Sequence, residues 1–278
     1  MNLENYESVL RDLTIPPRPE VVAVLVQEMG QDQPNLERVT KVIVADPGLS
    51  AGMLRAANSP LFGLTRKLSS VAQAIRVLGF KHVANIATGL AIRHALKGGN
   101  RGQSFEQFWN GAEQTGMLCH YLARSLRGIS PDEAFTYGLF HDSGIPLLIQ
   151  RFPGYQAALE EGLATGDTGA EESATGTSHA ILGYFLTRSW MLPDHLCQAI
   201  LLHHDLPSFT DPATSDTMRN LIALGHLAEH IQQRWLGNHR HPEWLRYEEA
   251  VTNHFGLTEE DMKNLIDEAQ QALNDSQS

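Results

Sequence analysis

The chain is short of cysteine, of positive charge and of long apolar runs, and each shortage removes a class of reading. Cys119 and Cys197 are the only thiols in 278 residues, too few for a disulfide framework, and each sits inside an apolar helical pattern. A reducing, cytoplasmic compartment is expected. Lys and Arg number 21 against 32 Asp and Glu, for a formal net charge of −11, so the long-range field repels phosphate backbones and no nucleic-acid partner is expected. The adjacent basic pair Arg66-Lys67 lies between apolar segments and reads as a solvated loop. No apolar run reaches the ~18 residues of a membrane helix. Met1 to Arg11 carries acids where a secretory leader needs a basic start and a continuous apolar stretch. No membrane partner is expected either.

What the chain does have is helical periodicity. Val71, Ala74, Ile75 and Leu78 recur at i, i+3, i+4 and i+7, Ser70 with Gln73 opens that helix as a capping box, and Gly79 closes it. Leu36, Val39 and Ile43 share a face of a helix that Asp46-Pro47 stops, and Leu49 to Ala57 ends at Asn58-Ser59-Pro60. No alternating run bounded by hairpin signals interrupts these patterns, so the fold class is all-α. Lys97 to Gln103, with Gly98-Gly99, has the composition of a flexible connection. It divides an N-terminal helical subdomain, residues 1–100, from a second helical subdomain, residues 101–278, that ends in a polar tail from Asn274. Thr165 to Ser178, rich in Gly, Thr and acids, reads as a surface loop. The first unit shows no cluster of nucleophile, base and acid, and its small residues Ala56, Ala57 and Gly63 suit close helix packing.

Histidines concentrate in the second unit. Ser130-Pro131-Asp132-Glu133 combines an N-cap, a proline at the first helical position and a capping glutamate. The helix that starts there ends at His141-Asp142, just before Gly144 and Pro146. An adjacent imidazole and carboxylate at the negative end of a helix dipole can supply two ligands to one divalent metal. His179 follows Thr177-Ser178 at the start of another helix and shares a face with Gly183, Leu186 and Trp190. Leu196, Ile200 and His203 repeat at helical spacing, with His204 one step round. One inward histidine is usually a hydrogen-bonded core residue; several at helix ends point to a common site.

These motifs, with others upstream, resemble the HDOD family, relatives of the HD-domain metal-dependent phosphohydrolases. The resemblance runs from about Leu13 to Ile231. It rests on Ile15-Pro16-Pro17-Arg18-Pro19-Glu20, Asp46-Pro47-Gly48-Leu49-Ser50, Ala57-Asn58-Ser59-Pro60-Leu61-Phe62-Gly63 and Ala74-Ile75-Arg76-Val77-Leu78-Gly79. It continues through Phe108-Trp109, Gly138-Leu139-Phe140-His141-Asp142-Ser143-Gly144, His179, Trp190-Met191-Leu192-Pro193 and His203-His204. It implies an N-terminal helical subdomain packed on an HD-like one and a role in bacterial signal transduction. HD hydrolases carry their first metal-binding histidine shortly after a tryptophan placed like Trp109. Here Gly111 stands at that position and cannot ligate. Their last ligand is an aspartate on a late helix, and Glu229 stands at the matching place. The implied ligand set is therefore His141, Asp142, His179, His203, His204 and Glu229, a set with one donor missing for a divalent metal ion.

The function expected from this is a non-catalytic regulatory module that binds another signalling protein or a small ligand. Its rival is a metal-dependent phosphohydrolase or phosphodiesterase acting on a nucleotide or cyclic dinucleotide. In that reading His141, Asp142 and Glu229 hold one metal, and His179, His203 and His204 a second.

Overall fold

The computed structural model describes residues 17–97, 103–166, 168–239 and 241–276, and every regular element among them is helical. The first five helices are α1 (Glu20–Met29), α2 (Leu36–Val44), α3 (Pro47–Ala57), α4 (Val71–Leu78) and α5 (Phe80–Lys97), with a 3-10 turn at Pro60–Phe62. Then follow α6 (Gln103–Ala123), α7 (Pro131–Phe140), α8 (Ile145–Arg151), α9 (Tyr155–Thr165), α10 (Gly169–Thr175), α11 (His179–Ser189), α12 (Asp194–Leu202) and α13 (Leu206–Thr210). The chain closes with α14 (Asp216–Trp235), α15 (Pro242–Phe255) and α16 (Glu259–Ser276). None of the described helices is long and apolar enough to cross a membrane.

Local chemistry sets the helix starts. Asn35 caps α2, Asp46 caps α3 by accepting from the Leu49 amide at 3.0 Å, and Ser70 caps α4 by accepting from Gln73. The Gln73 amide oxygen answers one residue further out than a capping box would place it, accepting from the Ser69 amide. Ser130 and Pro131 open α7 as their sequence predicts.

Two corrections concern segments read as irregular. Thr165 to Ser178 holds α10, and Glu171 within it is only 2% exposed. The glycines there act as caps: Gly166 and Gly176 both take φ of 74° and end α9 and α10 in the left-handed region. The C-terminal helix continues through Ser276, with Leu273 buried and Asn274 accepting from the Trp235 indole at 2.8 Å. The Gly98-Gly99 connection lies outside the described residues.

The buried apolar side chains form one contiguous cluster from Val22 to Leu273. Helix α5 packs on α1, α3 and α4 on one side and on α7 on the other, so it links the N-terminal helices to the rest. Helices α6 and α7 cross at close range. A Cβ on Gly138 would sit 3.0 Å from the Gly116 Cα and 3.0 Å from the Thr115 carbonyl oxygen, so only hydrogen fits there. The turn after α7 approaches α11 just as tightly. A Cβ on Gly144 would lie 2.1 Å from the His179 carbonyl oxygen and 2.9 Å from the Gly183 amide nitrogen. That backbone contact brings the end of α7, with His141 and Asp142, against the start of α11.

Backbone cannot yield as a side chain does, so Gly144→Ala should destabilise the protein by about 3 kcal/mol through overpacking. Gly111 is the opposite case, with nothing within 4 Å of a Cβ. In mid-helix, Gly111→Ala should stabilise by about 0.5–1 kcal/mol. Urea denaturation of the two variants checks both signs.

Candidate metal centre

Two helix C-termini, one helix N-terminus and the long helix α14 meet at the centre of the second unit. His141 is the C-cap of α7 and His203 the C-cap of α12. Each closes its own helix end, donating Nδ1–H to the carbonyl three residues back: His141 to Gly138 at 2.9 Å, His203 to Ile200 at 2.6 Å. His179 begins α11 and donates Nδ1–H to the Glu171 carboxylate at 2.8 Å. The same carboxylate accepts the His179 amide at 3.0 Å, doing the capping work expected of Ser178, whose side chain makes no cap bond. His204 donates Nδ1–H to Glu243 at 2.5 Å.

All four rings are thus fixed in one tautomer with Nε2 turned to a common centre. There the His141 Nε2 lies 3.1 Å from Glu229 and 3.3 Å from the Asp142 Oδ2. The Asp142 Oδ1 lies 3.2 Å from the His179 Nε2 and 3.5 Å from the His203 Nε2. The His179 Nε2 is also 2.8 Å from that of His204 and 3.3 Å from that of His203. A neutral imidazole that has used its proton at Nδ1 presents only a lone pair at Nε2. Lone pairs 2.8 Å apart and lone pairs facing carboxylates repel, so the centre needs cations among them, whether protons or a metal. An imidazole anchored at Nδ1 and free at Nε2 is the usual dress of a metal ligand.

All six residues expected at the site are brought together, in two groups that share Asp142: His141, Asp142 and Glu229, and Asp142, His179, His203 and His204. These donors fit a divalent metal ion of the borderline or hard type. Glu171, Glu243 and His226 escaped the sequence reading. The His226 ring donates Nε2–H to the His203 carbonyl at 2.8 Å and stacks on Tyr247.

Protons account for the charge when no metal is present. Burial pushes His141 down, but the Asp142 and Glu229 carboxylates beside it hold it well above the usual imidazole range. Burial likewise opposes a charged His179, yet hydrogen bonds to Asp142 and Glu171 raise it to about 10. Burial pushes Glu229 up and the His141 cation outweighs it, leaving it at about 2. His204 is held well below the usual range by burial and by its neighbours His203 and His179.

A cavity of about 200 Å³ opens onto these groups, lined also by Gln107, Gly111, Thr115 and Gln232. Among the described residues, no Lys or Arg lines it. The Gly111 carbonyl accepts from Gln232 Nε2 at 3.1 Å, and the Thr115 hydroxyl donates to Gln232 Oε1 at 3.2 Å. Gly111 lines the same cavity with open space beside its Cα.

The sequence profile of the HDOD domain matches residues 15–206, most of the chain. The chain belongs to the HDOD family. Among curated proteins, this HDOD chain is similar to an uncharacterized protein of Treponema pallidum, 24% identical over 201 residues that cover 69% of this chain and 38% of that one. It is also similar to the uncharacterized protein YuxH of Bacillus subtilis, 30% identical over 42% of this chain and 28% of that one. The HDOD chain thus spans well under half the length of these relatives. Among solved structures it resembles an HDOD domain protein of unknown function from Geobacter sulfurreducens (TM-score 0.73, 22% identity, covering 98% of this chain and 94% of that one). It resembles a candidate phosphohydrolase from Shewanella amazonensis SB2B (TM-score 0.72, 22% identity, 98% and 97%). A third likeness is to a candidate signal transduction protein from Marinobacter aquaeolei VT8 (TM-score 0.74, 23% identity, 99% and 64%). At these identities the likeness is one of fold.

The raised histidines set a pH dependence for chelator-treated protein. A group whose pKa is raised on folding stabilises fully below its unfolded value and loses that stabilisation as pH climbs to the folded value. For His179 this window runs from ~6.5 to about 10. The melting temperature of metal-free protein should therefore fall between pH 7 and pH 10, and Glu171→Gln should flatten that fall.

Proposed function

We propose that this HDOD chain is a non-catalytic regulatory module whose histidine-carboxylate centre holds a divalent cation without hydrolysing phosphate esters. The observation that carries this reading is the charge of the cavity wall. Asp142, Glu171, Glu229 and Glu243 line it with histidines, and among the described residues no Lys or Arg does. One divalent cation placed among those carboxylates is neutralised by them, so a phosphate entering the cavity meets no net positive potential. Gly111 acts in the same direction, since it removes one donor that would fix a metal in reactive geometry.

The residues that would hold the cation are His141, Asp142 and Glu229, with Asp142 also reaching His179, His203 and His204. A metal bound there supplies Lewis acidity in principle. The chain's own groups orient the imidazoles through Gly138, Ile200, Glu171 and Glu243. Loading then becomes a change in charge and stiffness at the middle of the molecule, which another signalling protein in the bacterial cytoplasm can read. The competing reading, a phosphohydrolase for nucleotides or cyclic dinucleotides, draws support from one feature: Asp142 faces both ligand groups, as a carboxylate shared by two metals does.

Purified protein supplied with Mg, Mn, Fe or Ni should show no turnover of phosphomonoesters, nucleotides or cyclic dinucleotides. Turnover that Asp142→Ala abolishes would sink the proposal in favour of its rival. Metal should raise the melting temperature progressively, by about 2.7 kcal/mol of stabilisation at 100 times Kd, and chelator should reverse it. Since the Gly111 Cβ position is open, Gly111→His should fold and tighten metal binding by at least about 10-fold.

A further inference from the structure

A second cluster of histidine and carboxylate lies where the N-terminal helices meet the HD-like unit, away from the centre just described. His82 on α5 comes from the first unit, while His120 on α6 and Asp132 on α7 come from the second. One ring nitrogen of each histidine and one oxygen of Asp132 lie within 4.8 Å of one another. The His82 Nδ1 is 2.6 Å from the Asp132 Oδ1, and the two imidazole centroids are 4.3 Å apart. His120 donates Nδ1–H to the Pro131 carbonyl at 3.2 Å, which leaves its Nε2 as a lone pair. The Phe62 ring packs edge-on against both imidazoles, 4.7 and 4.9 Å away, and closes one side.

This arrangement is more than a hydrogen-bonded pair. His82 is only 2% exposed, and its Nε2 has no partner among the described residues. A dyad of His82 and Asp132 alone leaves that buried nitrogen unsatisfied in either tautomer, and the neutral His120 ring, tied at Nδ1, still has an Nε2 lone pair to offer. The Asp132 side chain keeps 31% of its surface open to solvent, which gives an ion a way in. Two imidazoles, one of them tied at its far nitrogen to a carbonyl, and one carboxylate form a ligand set for zinc with water completing the shell.

We propose that His82, His120 and Asp132 form a second, zinc-type metal site that pins the N-terminal helices to the HD-like unit. The site has three protein donors, two from one unit and one from the other, so occupancy fixes the seam between them. It does not depend on the reading of the His141–Asp142 centre.

The test uses full-length protein stripped with chelator, titrated with Zn²⁺, desalted and assayed for bound zinc by elemental analysis. His120→Gln and Asp132→Asn change partly exposed residues and leave the core intact. Each should lose one zinc equivalent, or weaken it at least 10-fold, and Co²⁺ loading should lose the matching visible absorption. His204→Gln, at the other centre, should keep that equivalent. Wild-type stoichiometry and affinity in both seam variants would overturn the proposal. If a variant fails to fold, anomalous scattering at the zinc edge from wild-type crystals decides. A peak among His82, His120 and Asp132 supports the site; zinc confined to the His141–Asp142 centre refutes it.

Discussion

One carboxylate, three-quarters withdrawn from water, organises the HD-like half of the molecule. Asp142 sits at the foot of α7 with His141, His179 and His203 on three sides, and its charge must be matched there because the surroundings exclude most water. The histidines meet that need only if they carry protons or share a cation, and each must be held still to do so. Gly138, Ile200, Glu171 and Glu243 hold them. The tight passage of Gly144 past the His179 carbonyl then fixes how far apart the two sides stand. Packing, tautomer and charge are here a single constraint, and the glycines of the α6–α7 crossing extend it into the core.

How much of this can be read from the residues depends on how local the signal is. Caps and stops are local, and so Ser70 and the Ser130-Pro131 start stand where the sequence places them, while Asp46-Pro47 follows the helix it is read to stop and also opens the next one. The end of α7 at His141 follows from Gly144 and Pro146 just beyond it, and the two inward histidines that close α12 follow from helical spacing. Gly111 and Glu229 become meaningful only through resemblance to a family, because a lone glycine or glutamate on a helix carries no chemistry by itself.

What stays hidden is pairing between distant segments. Glu171 lies in a stretch whose Gly and Thr content mimics a loop, and nothing local says that its glycines are helix caps. Glu243 comes from α15, beyond the span of the resemblance, and reaches His204 only because α15 folds back on α14. The N-terminal unit holds no cluster within its own sequence, yet its His82 meets Asp132 fifty residues on. Asp132 itself reads as an ordinary first-turn acid of α7, a role that satisfies every local rule and conceals its second neighbour.

The way α7 and α12 end has a bearing on what such a centre can lose. At both ends the last orphan carbonyls, buried away from water, are answered by the side chain of the histidine that also faces the metal position. Ligand and helix terminator are one residue. Removing the imidazole deletes a donor and strands a buried peptide oxygen in the same step, so these histidines serve the fold whatever chemistry the centre supports. The outline of such a pocket is set by how its helices end, and a change of ligand is at once a change of fold.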